Sequence, residues 1–348
     1  MRGVPEAGDL ILTREAPVGQ AGMIQHGVRV CLRQRTVLLR PDPEAVDGQF
    51  LLYLLVSPRV QERMHARGAG STVAHLNIKE VRALELGLLP GVSVQRAIAD
   101  VLGALDDKIA LNERICSAVL EIGDAYYQAM ADLGARVEYA TLGQLMAEGA
   151  LEFGDGYRTK KAEHGTPGLP ILRVAEVGAG EITPSFGDHV RDEFRTAMGR
   201  KTSRSGDIVL TTKGTVGRVA MISPHDAEFV YSPQVCFFRA QAGASMSRIY
   251  LFHWLRGQEF WRQAVGMKGQ TDMADYLSLG DIRSLKISLP GRSALADFDR
   301  QCAPLHARAE AARLENRTLA DLRDTLLPQL VTGKLRVKDA TRVVEEAV

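Results

Sequence analysis

Two long stretches of the chain place their apolar residues at alternating steps of three and four. The first stripe is Leu102, Leu105, Ile109, Asn112, Cys116, Val119, Tyr126 and Met130, and the second is Cys302, Leu305, Ala309, Ala312, Asn316, Leu319 and Leu326, in the same phase 200 residues later. A stripe of that period cannot remain bare in water, so each predicts a helix whose seam packs on a partner. Gly134 supplies a stop for the first helix and Pro328 is expected to end the second, with Gly333 opening a tail. The helices are therefore expected from Ser93 to Leu133 and from Ser293 to Leu327, paired antiparallel with an approximate two-fold relation. At about 1.5 Å per residue the first spans roughly 60 Å, enough to separate two globular blocks. Each seam carries one amide, Asn112 or Asn316. A polar seam residue sets register at a cost in stability; solvation at the stripe edge is the equally weighted alternative.

Between the helices the pattern changes. Short β-branched runs, such as Ile208 to Thr212 and Val235 to Phe238, are punctuated by glycine and proline, while Ile249 to Val265 reads as helical. The fold class is α+β: two globular blocks alternating with two long helices. An internal repeat supports this. GDLILTREAPVGQAGMI at Gly8–Ile24 and GDIVLTTKGTVGRVAMI at Gly206–Ile222 share eight of seventeen residues at an offset of 198. Gln34 then matches Gln234, and Phe50–Leu55 matches Tyr250–Leu255, both at offset 200. LNIKEVRAL at Leu76 follows in order with LSLGDIRSL at Leu277, and each block closes on Leu-Pro, at Leu89-Pro90 and Leu289-Pro290. Ordered matches of this kind mark a duplicated unit.

Composition narrows the function by exclusion. The longest apolar run, Phe50 to Val56, is too short to cross a bilayer, and acidic Glu6 and Asp9 stand where a signal peptide would be cationic, so a cytoplasmic location is expected. Cys31, Cys116, Cys236 and Cys302 form no C-x-x-C pair, so free buried thiols are expected and neither zinc nor a disulfide scaffold. Net charge is +1 in all, but residues 1–93 (11 cationic, 9 acidic) and 141–290 (18 against 16) are each +2, around an acidic 94–140 (4 against 8). That distribution permits nucleic-acid binding without demonstrating it.

A search for catalysis finds none. There is no amino-methyltransferase Asn/Asp-Pro-Pro-aromatic run, no G-x-S-x-G and no H-E-x-x-H, and FGDG at Phe153 is only faintly like a cofactor loop. Asp106-Asp107-Lys108 supplies the end of a metal-nuclease pattern with Pro41-Asp42 as its start, but a solvated helix face explains both aspartates better. No catalytic residue, metal or cofactor is expected.

The order of block, helix, block, helix resembles the specificity subunit of Type I restriction-modification enzymes. Three stretches carry the resemblance: GDIVLTTKGTVG at Gly206–Gly217, like the core of a target recognition domain; QRAIADVLGALDDKIALNERI at Gln95–Ile115, like the central conserved helix; and RTLADLRDTLLPQLVTGKLRV at Arg317–Val337, like the C-terminal conserved region. It implies a partial first target recognition domain at 1–92, a central helix at 93–134, a second recognition domain at 141–290, a C-terminal helix at 291–335 and a tail at 336–348. It further implies that the blocks contact the two halves of a split double-stranded DNA target while the paired helices act as spacer. Methyltransferase subunits, and through them the restriction and motor subunits, would be the protein partners, with no membrane involved. A departure concerns the first block: about 65 residues, Thr141 to Ser205, precede the GD motif in the second, but only MRGVPEA in the first, which is expected to be shortened. The competing reading is a coiled-coil adaptor that assembles methyltransferase subunits without full sequence recognition.

Base reading needs side chains that reach base edges, together with cations and amides for phosphates. Tyr157, Arg158, Thr159, Lys160 and Lys161 follow FGDG as a basic loop. Thr211, Thr212, Lys213 and Arg218 surround two glycines whose amides can approach phosphate, although a hairpin turn explains those glycines equally. Lys268, Gln270 and Thr271 lie in a second polar turn, KGQT, matched in the first block by Gly70, Ser71 and Thr72. The first block offers Thr13, Arg14 and Gln20. Trp254 and Trp261, seven apart, are read as core rather than as stacking platforms.

Overall fold

The computed structural model describes residues 4–68, 75–132, 137–241, 243–267, 269–271 and 274–348. The chain divides into two compact units, one comprising residues 1–113 and 315–348, the other Arg114–Leu314.

The first unit opens with β1 (Leu10–Arg14), β2 (Val18–Met23) and β3 (Thr36–Leu39), an antiparallel sheet in the order β2-β1-β3. Helices α1 (Gly48–Val56), α2 (Pro58–Gly68) and α3 (Ile78–Arg82) follow, and then the long α4 (Val92–Asp132), of which residues 92–113 belong here. Asp47 starts α1 by accepting the Phe50 N–H, and Asn77 with Glu80 forms a capping box on α3.

The second unit takes the remainder of α4 and then β4 (Val137–Thr141), α5 (Leu142–Ala147), β5 (Leu151–Asp155), β6 (Gly168–Leu172), β7 (His189–Arg191) and α6 (Arg195–Met198). Next come β8 (Ile208–Thr211), β9 (Val219–Met221), β10 (Val230–Tyr231) and β11 (Val235–Ala240), followed by α7 (Arg248–Arg256) and α8 (Gln258–Met267). It closes with β12 (Gly269–Thr271), β13 (Ala274–Tyr276), α9 (Leu279–Ser284) and β14 (Lys286–Pro290). Its main sheet runs β5-β11-β8-β9, beside a smaller one ordered β10-β6-β7. The last helices are α10 (Arg292–Val331), which supplies residues to both units, and α11 (Val337–Ala347), which belongs to the first.

The repeat is structural as well as sequential. In the first unit Leu10, Ile11 and Leu12 face Met23, Gly22 and Ala21; in the second Ile208, Val209 and Leu210 face Met221, Ala220 and Val219, at the same offset of 198. The third strand joins on the other side, with Thr13 beside Thr36 and Thr211 beside Val235. That strand is matched at offset 199, one residue from the Gln34–Gln234 alignment.

The long helices pair antiparallel within each unit. In the first, Asp106 meets Arg323 at 2.8 Å and Asn112 meets Asn316 at 2.9 Å; in the second, the Cys116 thiol donates to the Ala309 carbonyl at 3.4 Å. Both asparagines therefore lie on the seam, and Asn112 is fully buried, its amide donating also to Glu315 at 2.8 Å. Asp106 is not a solvated carboxylate: it also accepts the Tyr53 hydroxyl at 2.6 Å.

Four expectations about the helices are corrected. Pro328 does not end α10, which runs on to Val331 before Gly333 turns the chain in the left-handed region, φ 70°; proline removes one ladder bond but leaves its own carbonyl free to accept from Thr332. The expected tail folds as α11, with Ala340 and Val344 buried in the first unit's core among Leu102, Leu105, Leu319 and Leu326. The seam of α4 shifts after Val119: Tyr126 is 42% exposed while Gly123 and Tyr127 turn inward. There α4 also meets α7, and the Tyr127 ring packs on Tyr250 at 5.3 Å. The predicted helix over Ile249–Val265 is two helices broken at Gly257, so Trp254 and Trp261 sit on different ones. Trp254 is wholly buried; Trp261 is half-buried, its ring against Gly217.

Candidate nucleic-acid interface

In the second unit, β11 runs antiparallel to both β5 and β8, pairing Cys236 with Asp155 and with Leu210. Strands β5 and β8 therefore point the same way. The loop after β5, which holds Tyr157–Lys161, leaves the sheet at the end from which the β8–β9 turn of Thr212–Arg218 leaves. A third element joins them: Lys213 bridges to Tyr276, and the Leu277 N–H donates to the Thr212 carbonyl at 3.0 Å, placing the β12–β13 hairpin beside that turn. Three segments that are far apart in sequence thus leave or flank the sheet at the same end.

The sequence candidates play unequal parts there. Arg158, Lys160 and Lys161 are exposed, and none has an ion pair with any described residue. The cations of neighbouring segments differ in this respect: Arg173 pairs with Asp188, Arg191 with Glu193, Arg195 with Glu228 and Lys201 with Asp155. Tyr157 is half-buried against the cluster of Leu169, Ile171, Val190, Met198 and Val230, and the Thr159 hydroxyl is bonded to His164 Nε2 at 2.9 Å. Lys213 is exposed at the turn.

Thr211 and Thr212 do not face outward. Both are buried; the Thr211 hydroxyl donates to the Thr215 carbonyl at 2.6 Å and accepts the Arg218 N–H at 2.9 Å, while that of Thr212 donates to the Gln234 carbonyl at 3.2 Å. Their hydroxyls close the turn. The Arg218 side chain is exposed but leans on the Val174 and Val177 carbonyls at 3.3 and 3.4 Å. Together with Gly217, Arg256 and Trp261 it lines a cleft of about 410 Å³. Lys268 lies outside the described residues; Gln270 and Thr271 fall in β12.

In the first unit Arg14 is engaged internally, its guanidinium donating to the Leu76 carbonyl at 2.8 Å and lying 3.0 Å from His75 Nε2. The Thr13 hydroxyl accepts the Gln20 N–H at 2.9 Å, and the Gln20 side chain is exposed. Gly70, Ser71 and Thr72 lie outside the described residues.

Sequence reasoning missed the groups that fix this frame. Arg239, which is 7% exposed, grips Asp207, and Tyr231 donates its hydroxyl to the same carboxylate at 2.7 Å. Burial beside that carboxylate raises the Tyr231 pKa far above its usual value. Glu163 is buried beneath the cationic loop. A signal existed for the first of these, since Asp9 and Arg40 stand at the matching places of the repeat. Among the cysteines, Cys236 and Cys302 are buried as expected and burial raises both thiol pKa values, but Cys31 is exposed. Among the described residues no group of three or more His, Cys, Asp or Glu is placed to hold a metal, and no helix is long and apolar enough to cross a membrane.

An α+β block repeated in each unit, carried on antiparallel helices, with cations that lack ion pairs among the described residues at one sheet end of the second, defines a duplicated two-block protein. Residues 4–121 match the family described as Type I restriction modification DNA specificity domain. The Type I restriction enzyme MjaIX specificity subunit of Methanocaldococcus jannaschii is 22% identical over 95% of this chain and 78% of its own length. The HindI specificity subunit of Haemophilus influenzae is 30% identical over 27% of this chain and 20% of its own. A crystal structure of the Type I restriction-modification system S subunit from M. genitalium shares the fold, with TM-score 0.51 at 17% identity over 93% of this chain and 83% of that one. The chain is thus similar to Type I restriction-modification specificity subunits, by the family match over residues 4–121 and by the MjaIX relative over nearly its whole length.

Proposed function

We propose that this protein supplies DNA sequence specificity to a Type I restriction-modification complex, directing methyltransferase subunits, and through them the restriction and motor subunits, to a split double-stranded target. It contributes recognition and spacing, while the chemistry resides in its partners. The observation that carries the reading is the convergence at one end of the β5-β11-β8-β9 sheet. Arg158, Lys160 and Lys161 stand there without acidic partners among the described residues, beside Lys213 and the hairpin that holds Gln270 and Thr271. Unpaired cations on a protein of net charge +1 cost repulsion unless something anionic neutralises them. Lysine and arginine suit phosphate and guanine, and glutamine suits adenine.

The test is binding of the assembled methyltransferase complex to its own target and to scrambled duplexes across a salt series. Replacing Arg158, Lys160 and Lys161 by alanine removes up to three phosphate neutralisations, so the slope of log affinity against log salt should flatten by roughly 3. An unchanged slope and unchanged discrimination would remove the loop from the interface.

A further inference from the structure

The segment that presents these cations has no strand or α-helix, only a single 3-10 turn at Lys161–Glu163, yet its backbone is fixed at both roots and in the middle. At the first root, a Cβ on Gly156 would lie 2.1 Å from the Ser232 carbonyl oxygen and 2.2 Å from that of Tyr231, so only glycine fits. Lys201 Nζ donates to the Gly156 carbonyl at 2.7 Å, and the Tyr157 N–H to the Tyr231 carbonyl at 2.7 Å. At the far root, a Cβ on Gly168 would lie 2.2 Å from the Val190 carbonyl oxygen. The Gly165 N–H donates to the His189 carbonyl at 3.0 Å, and Arg191 Nη2 to that of Ala162 at 2.8 Å.

Glu163 ties the middle together. Only 8% exposed, it accepts the Lys160 N–H on Oε2 at 3.2 Å, and its own N–H donates to the Lys160 carbonyl at 2.9 Å. The same carboxylate lies close enough to the Tyr157 hydroxyl to help, with burial, to raise its pKa. One buried carboxylate therefore fixes the Lys160 end of the cationic run and faces its Tyr157 end, and Thr159, between them, is held by His164. A buried charge is costly unless it is hydrogen-bonded in this way.

We propose that Glu163 is a positioning residue for base discrimination: it sets the Tyr157–Lys161 loop in its reading conformation before DNA arrives. The inference rests on the reading of that loop as a DNA contact. A preset loop meets its ordering cost during folding rather than during binding, so binding energy remains available to separate right from wrong bases.

The experiment uses the complex assembled with its methyltransferase subunits, carrying wild-type protein, Glu163→Gln, Glu163→Ala, or the triple alanine replacement of Arg158, Lys160 and Lys161. Methylation is compared on the target duplex and on duplexes changed at one base of a half-site, and amide exchange is followed with and without target. Glu163→Ala should lower discrimination in one half-site about tenfold, the scale of one misplaced bidentate contact, while methylation of the changed duplexes persists. Glu163→Gln keeps an acceptor oxygen and should restore discrimination. In the wild type, the amides of Tyr157, Lys160 and Gly165 should exchange slowly without DNA and change little with it. Wild-type discrimination by Glu163→Ala, or loop amides that become protected only on adding DNA, overturns the proposal. Should Glu163→Ala fail to assemble, the wild-type exchange pattern decides. A triple variant that binds and discriminates normally instead defeats the underlying reading of the loop.

Discussion

Arg239 holds Asp207 through two parallel bonds, Nε to Oδ1 and Nη2 to Oδ2, each 2.7 Å, and Arg40 holds Asp9 in the first unit with the same pairs of atoms at the same 2.7 Å. The surroundings repeat too: the Arg204 N–H donates to Asp207 at 2.9 Å as the Glu6 N–H does to Asp9 at 2.8 Å. The duplicated GD motif is thus half of an ion pair whose arginine stands just past the end of β3 in the first unit and next to the end of β11 in the second.

The two pairs differ in burial. The side chain of Arg239 is 9% exposed and that of Arg40 is 48%. Asp207→Ala leaves a guanidinium buried without its main partner and should destabilise by about 3–5 kcal/mol. Asp9→Ala should cost less, because Arg40 can turn to water. Urea unfolding of the two variants checks the order, and equal losses would contradict it.

This pair also shows how far the sequence could be read. The repeat and the helix pairing were legible because each is written as a local period or as an ordered self-match. The aspartates stood inside the matched motif, but their arginines lie 31 and 32 residues further on and become partners only through strand pairing. Thr211 and Thr212 looked like exposed donors because hydroxyls near glycines usually are; instead their bonds close the turn. Tyr126 was misplaced because a strict heptad ignores the third helix that turns Gly123 and Tyr127 inward.

Asn112 and Asn316 lie at non-equivalent places of the repeat, since the counterpart of Asn112 is Ala312 and that of Asn316 is Cys116. The amide pair therefore occurs once and favours one register. Asn112→Leu should lower stability by about 1–3 kcal/mol, because Asn316 and Glu315 lose a buried partner. Replacing both asparagines by leucine should recover that loss or exceed it, since Asn112 Oδ1 has no partner among the described residues and an apolar seam avoids the penalty. A double-mutant cycle in urea measures the coupling; additive losses would show that the amides do not act together.

Glycine inside a helix normally gains about 1 kcal/mol when replaced by alanine. Gly123→Ala should do the reverse. A Cβ there would stand 2.3 Å from Cε1 of His253, whose ring is fully buried and held by Asp124 at 2.7 Å and His306 at 2.9 Å. Overpacking of this kind costs about 1–3 kcal/mol, and an unchanged or raised Tm would show that the ring can move aside.

The same histidines impose a pH dependence. Burial, then His253, Arg313, Arg248 and Arg256, lower the His306 pKa from 6.5 to about 4. The folded state therefore favours neutral His306, and its contribution to stability is present above pH 6.5 and is lost as pH falls toward 4. The slope approaches about 1.4 kcal/mol per pH unit if one proton is taken up on unfolding. His306→Gln should flatten the profile in that window. A profile equally steep in the variant would place the dependence elsewhere.

The two units are expected to contribute unequally to recognition. In the second, Arg158, Lys160 and Lys161 are exposed on a loop braced from below, and the β8–β9 turn adds Lys213. In the first, Arg14 is committed to the Leu76 carbonyl and to His75, which leaves the Gln20 side chain free. Changing Arg158, Lys160 and Lys161 should therefore alter which sequences are methylated, because each well-placed bidentate base contact separates right from wrong by about 1–3 kcal/mol. Gln20→Ala should weaken binding evenly over all sequences. Arg14→Ala should act mainly through stability, since it removes the guanidinium bond to the Leu76 carbonyl that reinforces the backbone pairing of these segments. The methylated motif in cells carrying each variant decides. If Gln20→Ala relaxes one half of a split motif, the first unit reads bases directly; if the second-unit changes leave the motif intact, recognition lies outside that loop.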